Sequence, residues 1–288
     1  MEETQQLKFT PLPVAKILGE ALKFPFKQTR HFWIWFVCMV FGFSILELLE
    51  IKLRDGVERS SFLLAFGVIL SLSLWISKGL LFALFAVNCH RIILLKEAHE
   101  RWWDFIFWSH RETRFFIWSF LIYIIAVLMM LLFFPLVLAP LFFISSWFGA
   151  GLDYLEIELI KAIGSQALRF GTSSIVFCLF LYLLSRICLA LPSTAIDEKP
   201  TPSWAWDLST GNGWRLTLIT GTIPFISYSL GFSAQEIWEF MPSSLFWIRE
   251  IIEVSWFLFL GMIEIALLSE AYKELKLQHQ VPNFKMLD

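Results

Sequence analysis

The sequence has 288 residues, of which 57% are hydrophobic, 17% aromatic and 17% charged, and its formal net charge at pH 7 is −2. Soluble domains contain about a quarter charged residues, whereas here the apolar residues are gathered into long runs. This composition excludes a soluble globular domain. No basic cluster resembles the binding surface of a nucleic-acid-binding protein.

The apolar runs have the length expected of membrane-spanning helices, which need about 20 mostly apolar residues. We therefore predict an all-α fold, a bundle of six transmembrane helices, over residues 32–49, 62–89, 115–148, 172–192, 214–232 and 244–268. The third run contains Pro135 and Pro140 and is too long for one crossing. We expect this span to end near Pro140 and to continue as an interfacial segment.

Lysine and arginine are distributed unequally between the two sets of loops. Sixteen of the 23 lie in the N-terminal segment, in the loops that follow the second and fourth spans, and in the C-terminal tail. Six lie in the opposite loops, and Lys78 lies within a span. Because cytoplasmic loops carry the excess of positive charge, we expect both termini to lie in the cytoplasm.

Two short patterns alternate along the chain and indicate an internal repeat. In the first pattern, an aromatic-rich stretch and a polar turn precede an arginine that opens a span, namely Arg30, Arg114 or Arg215. In the second, the returning spans end in the similar segments RIILLKEAHER (91–101), RICLALPSTAI (186–196) and EIALLSEAYKE (264–274). The alternative is that Leu- and Ile-rich helices align by accident.

The repeat predicts a single membrane domain over residues 1–288, with three two-span units at approximately 10–100, 101–198 and 199–288. Each unit is expected to begin with an amphipathic helix on the cytoplasmic face. Such helices carry Trp, Phe and Leu on one side and Lys or Arg on the other. The clearest example is RWWDFIFWSHRE (101–112).

The stretch SRICLALPSTAIDE (185–198) places a charge inside an apolar run. Arg186 is expected near the cytoplasmic end of the fourth span, where a long side chain can snorkel to the headgroups. Pro192 is expected to stop or bend the helix as it leaves the membrane. Asp197 and Glu198 would then begin a solvated link to the next unit.

This stretch also carries a family resemblance. Together with SWAWDLSTGNGWRLTLI (203–219) and ALLSEAYKEL (266–275), it resembles a group of uncharacterised proteobacterial inner-membrane proteins. Those proteins are similar in turn to the membrane domain of bacterial glycerophosphodiester phosphodiesterases. The resemblance implies a helical bundle with internal repeats at the bacterial inner membrane. It does not imply phosphodiesterase activity, because the chain has no room for the separate catalytic barrel.

Charged residues within spans are costly and are usually paired or functional. Lys78 lies thirteen residues before Arg91, and Glu253 lies eleven before Glu264, so both charges are expected at similar depth. We predict that Lys78 and Glu253 form an ion pair. A proton or substrate relay, or two unpaired charges, are the alternatives.

A second candidate site is a charge cluster at the cytoplasmic end of the bundle. The repeat aligns Arg91, Arg186 and Glu264, and we predict that these three side chains converge. Structural locking is the favoured role. The alternative is a site for an anionic headgroup, because arginine binds phosphate in a bidentate way.

No catalytic, cofactor-binding or metal site is predicted. His90, His99 and His110 share a loop with acidic residues, but their spacing matches no metal-binding motif. Polar positions on an interfacial helix explain them better than a metal site does.

Three functions remain open. The first is a non-catalytic membrane protein that organises lipid or docks a partner at the cytoplasmic interface. The second is a small carrier or channel that uses Lys78 and Glu253, and the third, least favoured, is an intramembrane enzyme that acts on lipid. Carriers often contain inverted repeats, whereas these units share one orientation, which favours the first function. The expected partners are membrane lipids, with a protein partner or a second copy of the chain as alternatives, and no nucleic acid.

Overall fold

The computed structural model describes residues 11–58, 64–97, 101–152, 178, 180–221 and 245–280. The described residues are overwhelmingly helical and contain no strand. The long helices are α2 (Arg30–Glu58), α3 (Leu64–Leu95), α4 (His110–Leu152) and α9 (Phe246–Gln280). The shorter helices are α1 (Val14–Lys23), α5 (180–187), α6 (Ala190–Ala195), α7 (Pro202–Leu208) and α8 (213–221).

Four helices are long and apolar enough to cross a membrane, over Arg30–Leu53, Phe66–Leu95, His110–Leu132 and Phe246–His279. They coincide with the first, second, third and sixth predicted spans, so the prediction of a helical membrane protein is confirmed. The described part of the fourth predicted span is a shorter apolar helix, Phe180–Ala195. Of the fifth, residues 214–221 are described as helix, and the remainder lies outside the described residues.

Helix α4 extends beyond Pro140, near which the sequence predicts the end of the third span. It continues without interruption through Pro135 and Pro140 to Leu152. A proline in a helix removes one N–H donor, but transmembrane helices tolerate this loss because neighbouring groups can satisfy the freed carbonyl. The end of the membrane span near Pro140 stays a prediction.

The segment 101–112 does not form the amphipathic helix that we predicted. It contains one 3-10 turn, Trp102–Ile106, and non-helical residues before α4 begins at His110. Ser109 is the last residue before α4, and its backbone N–H donates to the Glu112 side chain at 2.7 Å. This contact belongs to the capping arrangement that starts a helix.

The centre of the fold is an aromatic stack that joins three elements. Trp35 of α2 is fully buried and lies between Phe85 of α3 and Phe105 of the 3-10 turn, with ring centroids 5.2 and 4.8 Å away. Phe32 packs edge-on against Trp35 at 5.5 Å. The stack therefore fixes the segment before α4 to α2 and α3.

The remaining helices pack around this centre. Helix α9 packs against α1, α2 and α3, and α4 packs against α3 and α6.

Pro192 breaks the helix that contains Arg186, as the sequence predicted. The break is a turn at Cys188 and Leu189 that separates α5 from α6. A proline ring clashes with the carbonyl four residues earlier and cannot donate a hydrogen bond to it, which for Pro192 is the carbonyl of Cys188. The break therefore lies one helical turn before the proline.

Candidate functional site

One end of the bundle brings together the beginning of α2 and α4, the end of α3 and α9, and the short helices; we call it the collar end. The Lys16 ammonium of α1 contacts the Glu274 carboxylate of α9 at 2.6 Å. The backbone N–H of Leu12 donates to Asn212, immediately before α8, at 2.9 Å. These contacts tie the N-terminal region to both later elements.

Asp197 and Glu198, which we call the acidic pair, lie at the centre of the collar end. Asp197 ends α6 in a left-handed conformation with φ of 66°, which aspartate tolerates better than most residues. The backbone N–H of Glu198 then donates to the carbonyl of Ser193 at 3.1 Å, as in a Schellman motif. This local geometry fixes the direction of both carboxylates.

Asp197 faces three arginines from two other helices. Its carboxylate lies 3.2 Å from Arg91 at the end of α3, and 2.9 and 3.9 Å from Arg114 and Arg111 at the start of α4. Arg91 also donates to Glu97 and, at 3.1 Å, to the carbonyl of Ala195. The acidic pair therefore joins the end of α6 to α3 and α4.

Glu198 makes the corresponding contacts with α9. Its carboxylate binds the Lys276 ammonium and accepts hydrogen bonds from Tyr272 at 2.5 Å and from Ser193 at 3.1 Å. Burial raises the pKa of this carboxyl, but the bonds from Lys276 and Tyr272 outweigh burial and hold the pKa below its ordinary value. The ionised form of Glu198 therefore stabilises the fold.

We expect the stability contributed by Glu198 to depend on pH. Because its folded pKa is lowered, this contribution is present above the ordinary pKa of 4.5 and is lost as the pH falls through the folded pKa. Glu198→Gln should lower the free energy of unfolding at pH 7 by about 1 kcal/mol. The difference from the unmodified chain should shrink below about pH 4.5.

Unfolding in detergent at pH 7 and pH 3.5 measures this effect. Glu270→Gln is the matched control, because among the described residues the ion pair of Glu270 is with Lys273, three residues away on the same helix. A Glu198→Gln penalty that is unchanged at pH 3.5 would contradict the assignment.

Arg186 is buried instead of extended to the surface as predicted, because it is only 5% exposed. Its Nε donates to the Ser209 hydroxyl at 2.7 Å, and its Nη2 donates to the carbonyl of Trp206 at 2.9 Å. Its Nη1 donates to the Tyr182 hydroxyl at 3.3 Å. The guanidinium carbon lies 3.6 Å from the centroid of the Trp206 ring, a cation–π distance.

The predicted cluster of Arg91, Arg186 and Glu264 is wrong. Arg91 binds Glu97 and Asp197, and Arg186 binds neutral groups of α5 and the α7–α8 region. Glu264 is partly buried, and within the described residues it makes neither an ion pair nor a hydrogen bond. Arg91 and Arg186 hold equivalent positions in the aligned segments, but α3 continues four residues beyond Arg91 whereas α5 ends one residue after Arg186.

Gly213 permits the close packing beside Arg186. A Cβ atom at this position would lie 2.6 Å from the Tyr182 ring, closer than the two groups can approach without movement.

We expect Gly213→Ala to lower the free energy of unfolding by about 1–3 kcal/mol, as overpacking does. Gly19→Ala in α1 is the control, because nothing lies within 4 Å of its added methyl group, and alanine favours a helix over glycine. Equal thermal stability of both variants in detergent would contradict the prediction.

Exposed aromatic side chains surround the collar end. Phe26 is 80% exposed, Phe107 71% and Trp214 60%. Phe26 and Phe107 lie before α2 and α4, and Trp214 lies in the first turn of α8. The full set, which we call the aromatic collar, is Phe26, Trp103, Phe107, Trp108, Trp206 and Trp214.

Exposed basic residues lie in the same segments as the aromatic collar. Lys23 and Lys27 precede α2, and Arg101 lies 5.6 Å from the Trp103 ring. Of the arginines predicted to open spans, Arg30 begins α2 and Arg215 lies in the first turn of α8, both exposed, whereas Arg114 of α4 binds Asp197. Amphipathic aromatic rings beside positive charges are typical of the membrane–water interface.

Lys78 is paired, but the predicted partner is wrong. Its ammonium binds Glu47 and Glu50 of α2, the second at 2.5 Å. Glu253 instead pairs with Arg249 one turn away on α9, at 2.9 Å. Glu47 and Glu50 lie three residues apart, so they share one face of α2 and clamp Lys78 between them.

A third carboxylate lies near this clamp. Glu250 of α9 is 7% exposed and lies within electrostatic reach of Glu47 and Lys78. Among the described residues it makes neither a hydrogen bond nor an ion pair. Glu47, Glu50 and Glu250 were not predicted from the sequence, because the repeat aligns charges only in the returning spans at equivalent depth.

His90 lies inside the bundle rather than on an interfacial surface. Its Nδ1 lies 2.6 Å from the Ser269 hydroxyl of α9. In the described part of the chain, no three His, Cys, Asp or Glu side chains lie close enough together to hold a metal ion. His99 lies outside the described residues, and His110 begins α4.

The fold defines an all-helical membrane protein with four helices that can cross the bilayer among the residues described. Its distinctive surface is the aromatic collar with adjacent basic residues. Comparison of the chain with protein-family models, with curated proteins and with solved structures finds no match.

Proposed function

We propose that this chain is a non-catalytic inner-membrane protein that organises anionic lipid at its cytoplasmic face. The observation that carries the proposal is the aromatic collar with exposed basic residues, which lie before or at the start of α2, α4 and α8. Aromatic rings anchor at the headgroup level, and each basic residue near an anionic surface contributes about 1 kcal/mol of attraction. The surface therefore has the chemistry of a lipid-binding face.

Thermal unfolding in nanodiscs tests this function. Phosphatidylglycerol should stabilise the chain more than phosphatidylcholine with the same acyl chains, and salt should reduce the difference. Replacing Lys23, Lys27, Arg30, Arg101 and Arg215 by glutamine should remove most of the difference. Replacing Lys52 and Arg249, on the opposite half of the bundle, is the matched control. Equal stabilisation by both lipids would contradict the proposal.

The proposed topology is six spans in three repeated units, with both termini in the cytoplasm. It is supported by the excess of Lys and Arg in one set of loops and by the recurrence of a short segment before α2, α4 and α8. The resemblance to proteobacterial inner-membrane proteins supports the same location.

Cysteine labelling from outside the cell tests the topology, after removal of the four native cysteines. Probes at Ser60 and Gly151 should react, and probes at Glu3 and Lys276 should not. Labelling at Lys276 would reverse the orientation.

A carrier or channel is the second candidate function. It is favoured by Glu250 and Glu264, because neither has a hydrogen bond or ion pair among the described residues. The two lie 14 residues apart on α9, about 21 Å along the helix, and within about 40° of one another around its axis. Intramembrane carboxylates of this kind often mark ion pathways.

Proteoliposomes with an internal pH dye test the second candidate. Proton flux that Glu250→Gln abolishes and Glu270→Gln leaves unchanged would support it. Flux no greater than in empty liposomes would remove it.

A further inference from the structure

Arg186 carries a buried positive charge that no described carboxylate neutralises. Its residue is 5% exposed, and an arginine guanidinium stays protonated in proteins. Among the described residues, its hydrogen-bond acceptors are the Ser209 and Tyr182 hydroxyls and the Trp206 carbonyl, all of them neutral. Each of the other arginines at the collar end is either exposed or within 4 Å of a carboxylate.

The guanidinium also retains hydrogen-bonding capacity. It has five N–H donors, and each of its three nitrogens donates one described bond. One N–H on Nη1 and one on Nη2 therefore remain without a described acceptor. Two N–H groups on one planar guanidinium suit a phosphate or carboxylate oxygen pair.

The position of Arg186 determines which anions can reach it. Trp206, whose ring covers one face of the guanidinium, belongs to the aromatic collar, and Trp214 packs on Tyr182 with ring centroids 4.7 Å apart. Both tryptophans are exposed. The site thus lies directly behind side chains that face the headgroup layer, where phosphate groups are the abundant anions.

We propose that Arg186, held by Ser209 and Tyr182 and walled by Trp206, binds the phosphate group of an anionic phospholipid. This inference rests on the proposed lipid-binding function and assigns it one specific site. The remaining collar charges attract lipid without selecting a position. Arg186 fixes one headgroup because its guanidinium is held in a single orientation.

Lipid binding to the delipidated full chain in uncharged detergent tests the proposal. Short-chain phosphatidylglycerol, phosphatidylcholine and inorganic phosphate are titrated separately, with tryptophan fluorescence and native mass spectrometry as readouts. The unmodified chain should bind one molecule of phosphatidylglycerol, and should bind it more tightly than phosphatidylcholine or inorganic phosphate. If millimolar inorganic phosphate displaces that lipid, the ligand of the site is free phosphate. If inorganic phosphate does not displace it, the ligand is the phosphate group of the lipid.

Arg186→Lys keeps the charge but loses the planar pair of donors, and should weaken phosphatidylglycerol binding at least about tenfold, the loss of one charge-assisted bond. Arg215→Gln, an exposed collar variant, should weaken it less than about fivefold. Ser209→Ala leaves the charge in place but removes one of the hydrogen bonds that orient the guanidinium, so it should weaken phosphatidylglycerol binding severalfold. It is the second test variant if Arg186→Lys does not fold.

The outcomes separate this site from the general function. If Arg186→Lys and Ser209→Ala both bind phosphatidylglycerol as the unmodified chain does, the site is wrong although the lipid preference stands. If the unmodified chain does not distinguish phosphatidylglycerol from phosphatidylcholine, the proposed function itself is wrong. Loss of binding confined to the Arg186 and Ser209 variants supports both.

Discussion

Lys78→Met should lower the free energy of unfolding by about 3–5 kcal/mol, the cost of breaking a buried ion pair from one side. Lys78 lies between Glu47 and Glu50, and its removal leaves two like charges facing each other on α2. Glu250 lies close enough to add a third negative charge. Lys78, Glu47 and Glu50 lie within the candidate spans Phe66–Leu95 and Arg30–Leu53, and uncompensated charges within a span are costly.

The triple variant Lys78→Met, Glu47→Gln, Glu50→Gln should recover much of the lost stability, because replacing all the charges of a buried network is milder than removing one. Glu253→Gln is the control. Its partner Arg249 lies one turn away on the same helix and both side chains are partly exposed, so this variant should lower the free energy of unfolding by less than about 1 kcal/mol. Reversible unfolding by an anionic detergent in mixed micelles measures all three variants. A loss for Glu253→Gln equal to that for Lys78→Met would contradict the structure of the clamp.

Trp35→Ala should have a comparable effect, about 3–5 kcal/mol, which is typical for removal of a buried tryptophan. The cost arises because Trp35 fills the space between Phe85 and Phe105. Phe105 belongs to the 3-10 turn that carries Trp103 of the aromatic collar, so the variant should also reduce the extra stabilisation by phosphatidylglycerol.

Trp35→Phe provides a sharper comparison. The Trp35 Nε1 is buried and has no hydrogen-bond partner among the described residues, so phenylalanine loses packing but no hydrogen bond. Its cost should stay below about 1.5 kcal/mol, as for well-tolerated apolar exchanges. Phe41→Ala, an exposed position on the same helix, controls for general loss of aromatic surface. Equal destabilisation by Trp35→Phe and Trp35→Ala would contradict the packing account.

Hydropathy was sufficient to place the helices because apolar length is a property of the chain itself. Arg30–Leu53, Phe66–Leu95, His110–Leu132 and Phe246–His279 lie where the long apolar runs predicted spans. The break near Pro192 was also predictable, because proline acts on its own helix. Local chemistry of this kind needs no knowledge of neighbouring elements.

The charge partners were not predictable in the same way. Depth along aligned spans suggested Lys78 with Glu253, but partner choice depends on which helices are adjacent and how each is rotated. The LELLE segment at 46–50 contained the missed signal: two carboxylates three residues apart at the end of the first apolar run. Such a pair lies on one helix face, where a cation from another helix can lie between the two carboxylates.

The sequence predicts that the acidic pair begins a solvated link, whereas in the structure it has a larger role. Asp197 and Glu198 bind side chains from α3, α4 and α9. Sequence spacing could not show this, since the partners on these helices lie 74 to 106 residues away. The left-handed conformation of Asp197 directs both carboxylates, and no apolar pattern encodes it.

Native mass spectrometry of the chain, extracted in a mild uncharged detergent, tests most directly whether the protein binds anionic lipid. We expect the spectrum to retain anionic phospholipid on the intact chain, in preference to the more abundant zwitterionic phospholipids. The Lys23, Lys27, Arg30, Arg101 and Arg215 variant should lose most of this retention. A spectrum with no bound phospholipid, or with zwitterionic and anionic lipids in the proportions of the membrane, would contradict the lipid-organising function.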